Sequence, residues 1–371
     1  MMKVLSLFDG KSSGFTAMEL AGIPVTEYYS SEVDKYAIKV SDAIHPSQIR
    51  LGDVTNWREW DIDWESIDLI FGGFPCQAWS MAGKQMGDRD ERGALFWTML
   101  DIMKHVRKHN SKAHFLIENV KMKKEFEEYI TFHMNNAVGD VHKILINSAL
   151  VSAQNRNRYY WTSFLVTQPG DRGVLLADII ESDFVDRDKS YCIDANYYKG
   201  GNLKQYFEKN RRQLVFLKCG RLVGRKINPV TGKRDDYNPN LTTEQRFELR
   251  LDDKSGCLTT VQKDNYLYFI DRKPRGSCEH NNDLVIREKS KTVRSGGVGS
   301  QPDSRHNWDN VYYSKECYRK LTLRECFRLQ TVPEHYIDKI LSCGVSNTQL
   351  YKIAGNGWTD EVIAHILRHI K

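Results

Sequence analysis

A cysteine and a glutamate, Cys76 and Glu118, follow consecutive predicted strands and could do covalent chemistry together. Cys76 lies on a glycine-containing loop, FPCQAWSMAGKQMG, directly after an apolar run. A thiol at the exposed end of a strand can act as a nucleophile, although most free cysteines are small buried side chains. Glu118 ends the next predicted strand, in IENV. Neighbouring parallel strands would bring both side chains to one edge of a sheet, where an acid could assist attack by a thiolate.

Three further carboxylates follow predicted strands. Asp9 follows KVLSLF, Glu32 follows the second strand, and Asp53 lies in LGDVT after the third. A single acid of this kind is more often a helix cap or a solvated side chain. Three of them in order favour an adenosine ligand at the edge where parallel strands bind nucleotides. The turn DGKSSG would let such a ligand approach the backbone, although it lacks the GxGxxG pattern.

The elements that must position these residues are those of a doubly wound α/β domain. Short β-rich apolar runs alternate with helical stretches in the first 165 residues, as in βαβ units. The predicted strands are 3–8, 26–30, 67–71, 113–117, 144–150 and 159–165. The predicted helices are 15–21, 35–43, 95–106 and 121–133. Helical periodicity returns after residue 320 and in TDEVIAHILRHI, where Thr359 or Asp360 would cap the helix.

The chain length and the change in sequence pattern along it predict two domains, one of them discontinuous. A length of 371 residues suits two domains of ordinary size. We predict a first α/β domain at 1–166 and a smaller, mostly β, loop-rich domain at 167–320, where GGN, NPVTG, RGS and SGGVGS punctuate short strands. The segment 321–371 would pack back on the first domain.

The composition excludes several classes of protein. A chain that is 40% hydrophobic and 27% charged is neither collagen-like nor disordered nor a coiled coil. No apolar run approaches the length of a membrane span, and the N-terminal apolar stretch is too short for a signal peptide. We therefore expect a soluble, cytoplasmic protein. Eight cysteines without a CxxC pair indicate neither a disulfide framework nor a metal site.

The positive charge is concentrated in one part of the chain. Residues 191–320 carry 26 Lys and Arg against 16 Asp and Glu, whereas the rest carries 28 against 32. Within 199–234, eleven basic side chains accompany one acid, Glu208. This pattern suits a polyanion-binding module, and interleaved aromatic residues such as Tyr206 and Phe207 favour nucleic acid. A solvated lysine-rich surface is the alternative.

Eight segments together resemble the DNA (cytosine-5) methyltransferase family. They occur in the family's order: LSLFDGKSSG, SSEVDKYA, GDVT, GGFPCQAWS with AGKQMG, IENV, QNRNRYYW, RKLTLREC and YKIAGNGW. The resemblance implies a Rossmann-like, S-adenosylmethionine-dependent catalytic domain. The stretch without family motifs, 167–320, is where that family places its target recognition domain. Because the chain starts at its first catalytic strand, we expect a bacterial or phage enzyme.

What the resemblance implies is methyl transfer to carbon 5 of a cytosine flipped out of duplex DNA, with S-adenosylhomocysteine as the product. Cys76 would add to carbon 6 and so activate carbon 5. Protonated Glu118 would hydrogen-bond N3 of the ring. Asn119 would orient the base edge or the loop. Arg156 and Arg158 would contact the ring carbonyl and brace Glu118 or the DNA, with a phosphate contact or a surface ion pair as the alternative.

The same resemblance implies eleven cofactor-binding residues. They are Phe8, Asp9, Gly10, Gly14, Glu32, Val33, Asp53, Val54, Leu95, Asn356 and Trp358. Glu32 would hold the ribose and Asp53 the adenine amino group. The sequence departs from the family at Val33, where an aromatic residue often stacks on adenine. Trp358 would supply the missing apolar surface.

The residues expected to contact DNA fall in two groups. The loop 78–92 would close over the flipped base. Contacts with DNA would come from Gln77, just before this loop, and from Ser80, Lys84 and Arg89 within it. In the variable segment the candidates are Gln262, Lys263, Arg294 and Gln301. These last four side chains are able to read base edges, although each could instead touch phosphate alone.

Double-stranded DNA is therefore the expected partner. We expect a monomer, working with or without a cognate restriction endonuclease. The alternative enzyme is a tRNA cytosine-5 methyltransferase, but that branch of the family usually has a smaller target region. A catalytically silent relative would have lost Cys76 or Glu118, and both are present. An enzyme acting on free nucleotides would not need the basic segment, residues 191–320.

Overall fold

The structure is a computed structural model, and it describes residues 1–75, 91–183, 185–216, 220–229, 234–235, 237–249 and 318–370. Two compact units are present. The first comprises Met1–Glu181, Arg187–Gln213 and Leu321–Lys371, and the second comprises Ser182–Asp186 and Leu214–Lys320, each as far as it is described. The functional division into domains at 1–166, 167–320 and 321–371 stays a prediction.

A seven-stranded sheet forms the centre of the first unit. Its strands are β1 (Met2–Leu7), β2 (Val25–Ser31), β3 (Ile49–Arg50), β4 (Leu69–Gly72), β5 (His114–Val120), β6 (His142–Asn147) and β7 (Asn157–Thr162). The strand order is β3-β2-β1-β4-β5-β7-β6. The strands β1 to β5 pair in parallel, whereas β7 runs antiparallel to both β5 and β6. The predicted α/β fold with a mostly parallel sheet is confirmed.

Helices cover both faces of this sheet. Those between the strands are α1 (Ser13–Ala21), α2 (Lys35–Ile44), α3 (Glu91–His109) and α4 (Lys124–Val138). Two short helices follow, α5 (Leu176–Ile179) and α6 (Leu203–Phe207). The C-terminal helices are α7 (Leu323–Leu329), α8 (Glu334–Ser342), α9 (Asn347–Asn356) and α10 (Asp360–Leu367). None of the helices in the described ranges is both long and apolar enough to cross a bilayer.

Alternating side chains of the strands pack into two apolar layers, one on each face of the sheet. Leu5 and Ile70 point to a layer shared with α3 and α4. Their neighbours Val4 and Leu69 point to the opposite layer, which is shared with α1 and α10. Because successive strand residues face opposite sides, strands buried on both faces read as continuous apolar runs. That is the pattern seen in the sequence.

The second unit contains two small antiparallel pairs among its described residues. Strand β8 (Leu214–Phe216) pairs with β11 (Tyr318–Lys320). Strand β9 (Gly220–Lys226) pairs with β10 (Thr243–Leu249). These short pairs agree with the short, loop-separated strands that were predicted for this part of the chain.

A buried ion pair joins the turn after β1 to the start of α10. Lys11 Nζ lies 3.0 and 2.9 Å from the two carboxylate oxygens of Asp360, and both side chains are 0% exposed. Thr359 precedes α10 but makes no side-chain cap, because its hydroxyl lies 2.8 Å from Ser148 Oγ and donates to Gln330. The prediction that Thr359 or Asp360 caps this helix was therefore wrong: both side chains hold the C-terminal segment in place instead.

His45 gives the stability of the first unit a pH dependence. Its ring stacks on Phe15 at 4.4 Å and meets the ring of Tyr336 at 4.9 Å. Burial, followed by nearby positive charge, lowers the pKa of His45 to about 3. The charged or titratable groups around it are Lys11, Lys339, His335 and Glu19. Because the folded pKa lies below the ordinary value of 6.5, this contribution to stability is complete above pH 6.5 and is lost as the pH falls toward 3.

We expect the neutral imidazole of His45 to account for about 2 kcal/mol of stability lost between pH 7.5 and pH 5. Urea unfolding at the two pH values measures this loss. His45→Gln removes the titrating group, so the variant should lose about 2 kcal/mol less over the same interval. An equal loss in the wild type and the variant would mean that another group titrates.

Candidate active site

A cavity of about 540 Å³ opens at the carboxyl edge of the sheet in the first unit. This volume is within the usual range for a small-molecule pocket. Ten of the eleven predicted cofactor residues line the cavity, all except Gly14. Four of the five predicted catalytic residues also line it, namely Glu118, Asn119, Arg156 and Arg158. The structure thus brings together residues that lie up to 350 positions apart, from Phe8 to Trp358.

Several predicted site residues lie outside the described part of the chain. They are Cys76, Gln77, Ser80, Lys84, Arg89, Gln262, Lys263, Arg294 and Gln301. Pro75, the residue before Cys76, is described and lines the cavity.

The turn between β1 and α1 forms one wall of the cavity through its backbone. Phe8, Gly10 and Ser12 all have positive φ, at 56°, 59° and 62°. Only glycine adopts this conformation without strain, so Phe8 and Ser12 must be held in it by their surroundings.

The Asp9 carboxylate provides that hold. It accepts hydrogen bonds from the hydroxyls of Ser6 at 2.5 Å, Tyr28 at 2.8 Å and Ser30 at 2.8 Å, and it contacts the hydroxyl of Ser12. Burial and the charge of Asp9 raise the pKa of Tyr28 well above its ordinary value, so the phenol remains a donor. The carboxylate of Asp9 is thus engaged within the protein, and the contact of Asp9 with a cofactor stays a prediction.

The two other predicted acids present carboxylate oxygens to the cavity. Glu32 accepts from the backbone N–H groups of Gly10, Val33 and Asp34, each at 2.8 Å. Asp53 caps a 3₁₀ helix by accepting from the N–H and hydroxyl of Thr55. Both of those bonds end on Oδ1 of Asp53, so among the described residues Oδ2 is left to accept from a ligand. For Asp53 the cap of the 3₁₀ helix is therefore observed, and the contact with a ligand stays a prediction.

Val33 and Gly14, both predicted to bind the cofactor, differ in their position relative to the cavity. Val33 lines the cavity with a side chain that is 68% exposed, as expected of a surface that a ligand covers. Gly14 does not line the cavity. A Cβ on Gly14 would lie 2.6 Å from the ring of Phe71 and 2.8 Å from the hydroxyl of Tyr28. Its glycine is needed so that α1 can pack closely on β4, and the link to the cofactor is indirect.

Glu118 is held by two donors, one on each oxygen. Arg158 Nε lies 2.9 Å from Oε1, and Trp358 Nε1 donates to Oε2 at 3.1 Å. The Glu118 side chain is 11% exposed. Asn119 beside it donates to the carbonyl of Phe74 at 3.1 Å and accepts from the N–H of Val120. Asn119 thereby ties the end of β5 to the segment that precedes Cys76, and its role in orienting the base edge or the loop stays a prediction.

Arg156 is placed differently from its prediction. Its guanidinium donates to the backbone carbonyls of Ile193, Gly355 and Gly357, at 3.2, 3.2 and 2.8 Å. The side chain lies on the cavity wall but is 3% exposed, and burial lowers its pKa. It therefore braces the turn between α9 and α10, whereas Arg158 is the arginine that contacts Glu118.

Sequence reasoning missed two contributors to this site. Lys11 lines the cavity and supports it through Asp360, and the signal in the sequence was a lysine inside an otherwise small, polar turn. Gly355 was also missed. A Cβ on it would lie 2.2 Å from the backbone carbon of Asp194, so the turn carrying Asn356 and Trp358 needs a glycine for its close approach.

Comparison with known proteins gives sequence relatives and fold neighbours. An orphan methyltransferase of Bacillus phage SPR, M.SPRI, is 27% identical over 100% of this chain and 97% of its own length. The type II methyltransferase M.NlaX of Neisseria lactamica is 32% identical over 54% of this chain and 65% of its own length. The solved Entamoeba histolytica methyltransferase EhMeth has a TM-score of 0.60 and 12% identity, and the match covers 100% of this chain and 97% of that one. At that identity the likeness concerns the fold.

The family model for "C-5 cytosine-specific DNA methylase" matches residues 2–371. This match confirms the predicted family and supports DNA rather than tRNA as the substrate class. The Rossmann-like sheet, the order of the motifs and the relatives all agree with it. The chain therefore belongs to the C-5 cytosine-specific DNA methylase family.

Proposed function

We propose that this protein methylates carbon 5 of a flipped-out cytosine in a specific duplex DNA sequence through a covalent Cys76 adduct. The observation that carries the proposal is one cavity whose lining includes the contacting pair Glu118 and Arg158 together with Pro75 and the acids Glu32 and Asp53. The proposed nucleophile, Cys76, directly follows Pro75 in the sequence. Such a site suits addition to an aromatic ring next to a bound nucleoside.

The residues present fit S-adenosylmethionine. Glu32 is fixed by three backbone donors, which suits a carboxylate that accepts from ribose hydroxyls. Asp53 Oδ2 and exposed Val33 suit the amino group and the face of an adenine. When bound, the cofactor supplies an electrophilic methyl group and leaves as S-adenosylhomocysteine.

In the proposed reaction the thiolate of Cys76 forms a bond to carbon 6 of the cytosine, which makes carbon 5 nucleophilic. Protonated Glu118 donates a hydrogen bond to N3 and so stabilises the negative charge that the addition places on the ring. Arg158 keeps the acid in place and would contact the ring carbonyl. After carbon 5 is methylated, its proton passes to a water molecule and the bond to Cys76 breaks, which restores the thiolate.

The biological setting follows from the same proposal. Double-stranded DNA would be gripped by the basic segment and read by residues of 167–320, including Gln262, Lys263, Arg294 and Gln301. We propose a monomer that acts in the cytoplasm of a bacterial or phage-infected cell. Relatives bear both orphan and type II names, so the enzyme would act either alongside a cognate restriction endonuclease or alone.

Covalent trapping tests the proposal. Bisulfite sequencing of DNA from expressing cells gives the target sequence, and a duplex with 5-fluorocytosine at that position is then incubated with the protein and S-adenosylmethionine. We expect a stable protein–DNA complex. Cys76→Ser should form none and should lower methylation by at least about 10³-fold, because it removes the nucleophile.

The matched control is Cys343→Ser, a free cysteine outside the cavity lining, which should behave like the wild type. Methyl transfer to tRNA and not to duplex DNA would refute the proposal. So would equal trapping by Cys76→Ser.

A further inference from the structure

We propose that Trp358 is a positioning residue for Glu118, holding the plane of the acid's carboxyl group for the cytosine ring. This inference rests on the proposed function. It goes beyond the expected role of Trp358 as an apolar surface for the cofactor. The observation behind it is the hydrogen bond from the indole N–H to Glu118 Oε2, at 3.1 Å.

The carboxyl group needs a second donor to be oriented. The last torsion of a glutamate has a broad, roughly two-fold energy profile, so one contact leaves the carboxyl plane free to turn. Arg158 Nε occupies Oε1 at 2.9 Å. The indole on Oε2 adds a second fixed point, and two donors on different oxygens define the plane.

The indole is itself well held. A Cβ on Gly73 would lie 3.2 Å from Trp358 Nε1, so the ring lies directly against the backbone after β4. The ring also meets Phe71 edge-on at 6.0 Å. Arg156 holds the preceding carbonyl, that of Gly357, at 2.8 Å. A donor fixed in this way orients its acceptor without adjusting to it.

The chemical type of the donor also suits an acid that must carry a proton. A second cation on Oε2 would strongly favour the ionised carboxylate, because hydrogen bonds between charged groups are about twice as strong as neutral ones. An indole N–H is neutral and can only donate. It therefore orients Glu118 without placing a second cation on the carboxyl group.

Trp358→Phe tests the inference, because it keeps an aromatic ring and removes the N–H. We expect kcat on the target duplex to fall about tenfold, because a tenfold change in rate corresponds to the free energy of roughly one hydrogen bond. The KM for DNA and the Kd for S-adenosylmethionine should stay within about twofold. Trp97→Phe is the matched control: Trp97 lies on α3 outside the cavity lining, and its variant should keep wild-type kcat.

A double-mutant cycle separates positioning through Glu118 from a general structural role. In a Glu118→Ala background, measured under single-turnover conditions, adding Trp358→Phe should cost less than about twofold. A further tenfold loss in that background, an unchanged kcat in Trp358→Phe, or a loss confined to cofactor binding would each overturn the inference.

Two checks keep the outcome interpretable. Thermal unfolding shows whether Trp358→Phe is folded, and if it is not, Gly73→Ala replaces it, since the added Cβ presses the indole away from its position. Gly73→Ala should lower kcat when it is introduced into the wild-type protein. It should cause no further loss when it is introduced into the Glu118→Ala variant. If the wild type itself fails to methylate duplex DNA, the proposed function fails, whereas an active wild type with an unaffected Trp358→Phe removes only this inference.

Discussion

Lys11→Met should lower the free energy of unfolding by about 3–5 kcal/mol at pH 7, because it leaves the Asp360 carboxylate buried without its cation. Both partners are 0% exposed and lie 2.9 Å apart. Burial raises the pKa of Asp360, and the Lys11 ammonium opposes that effect. Urea unfolding followed by tryptophan fluorescence measures the change.

The control for this variant removes both charges. Lys11→Met with Asp360→Leu should regain most of the lost stability, since an apolar pair of similar volume can replace a buried ion pair. The loss of unfolding free energy in Lys11→Met should also become smaller as the pH falls toward 3.8, the ordinary pKa of Asp. Because the pKa of Asp360 is raised in the folded state, protonation of its carboxyl group stabilises the fold of this variant. A deficit that is independent of pH, or a double variant as weak as the single one, would contradict this account.

Arg156→Gln should destabilise the protein by about 3 kcal/mol or more and weaken S-adenosylmethionine binding by more than tenfold. Its guanidinium supplies the donors for three buried backbone carbonyls, and each unsatisfied acceptor costs about 1–3 kcal/mol. Two of these carbonyls belong to the turn that places Asn356 and Trp358 on the cavity wall. Isothermal titration with the cofactor and urea unfolding measure the two effects.

Arg158→Gln is the matched comparison, since the two arginines are two residues apart on the same segment. Arg158 contacts Glu118 at the cavity wall, so its loss should lower kcat. Because the pair is largely buried, stability should fall as well. If Arg156→Gln bound the cofactor normally and lost only kcat, the result would support the catalytic role predicted for Arg156 and contradict a bracing role.

The alternation of apolar runs and helical stretches was enough to predict the sheet and its helices. Those signals are local: a strand buried on both faces must be apolar throughout, as at 67–71, and Asp34 begins α2 by capping it. Strand direction is not a local property. The sequence pattern therefore did not reveal that β7 lies antiparallel between β5 and β6.

The membership of the site could likewise be predicted, but not the task of each side chain. The roles of Asp9 and Arg156 depend on partners that the chain brings from elsewhere, such as Tyr28 and Gly357. The bond between Trp358 and Glu118 spans 240 residues. Residue type and motif order identify which residues gather at a cavity, whereas burial and the distribution of hydrogen bonds decide which of them remain available to a ligand.

The pairing of Lys11 with Asp360 also has a consequence for synthesis on the ribosome. A chain grows from its N-terminus, so β1 and the turn after it are made long before α10, which packs against α1. Until α10 emerges, Lys11 has no anion, and the wall carrying Asn356 and Trp358 does not exist. A nascent chain should thus be unable to bind its cofactor or to methylate DNA until α10 has been made.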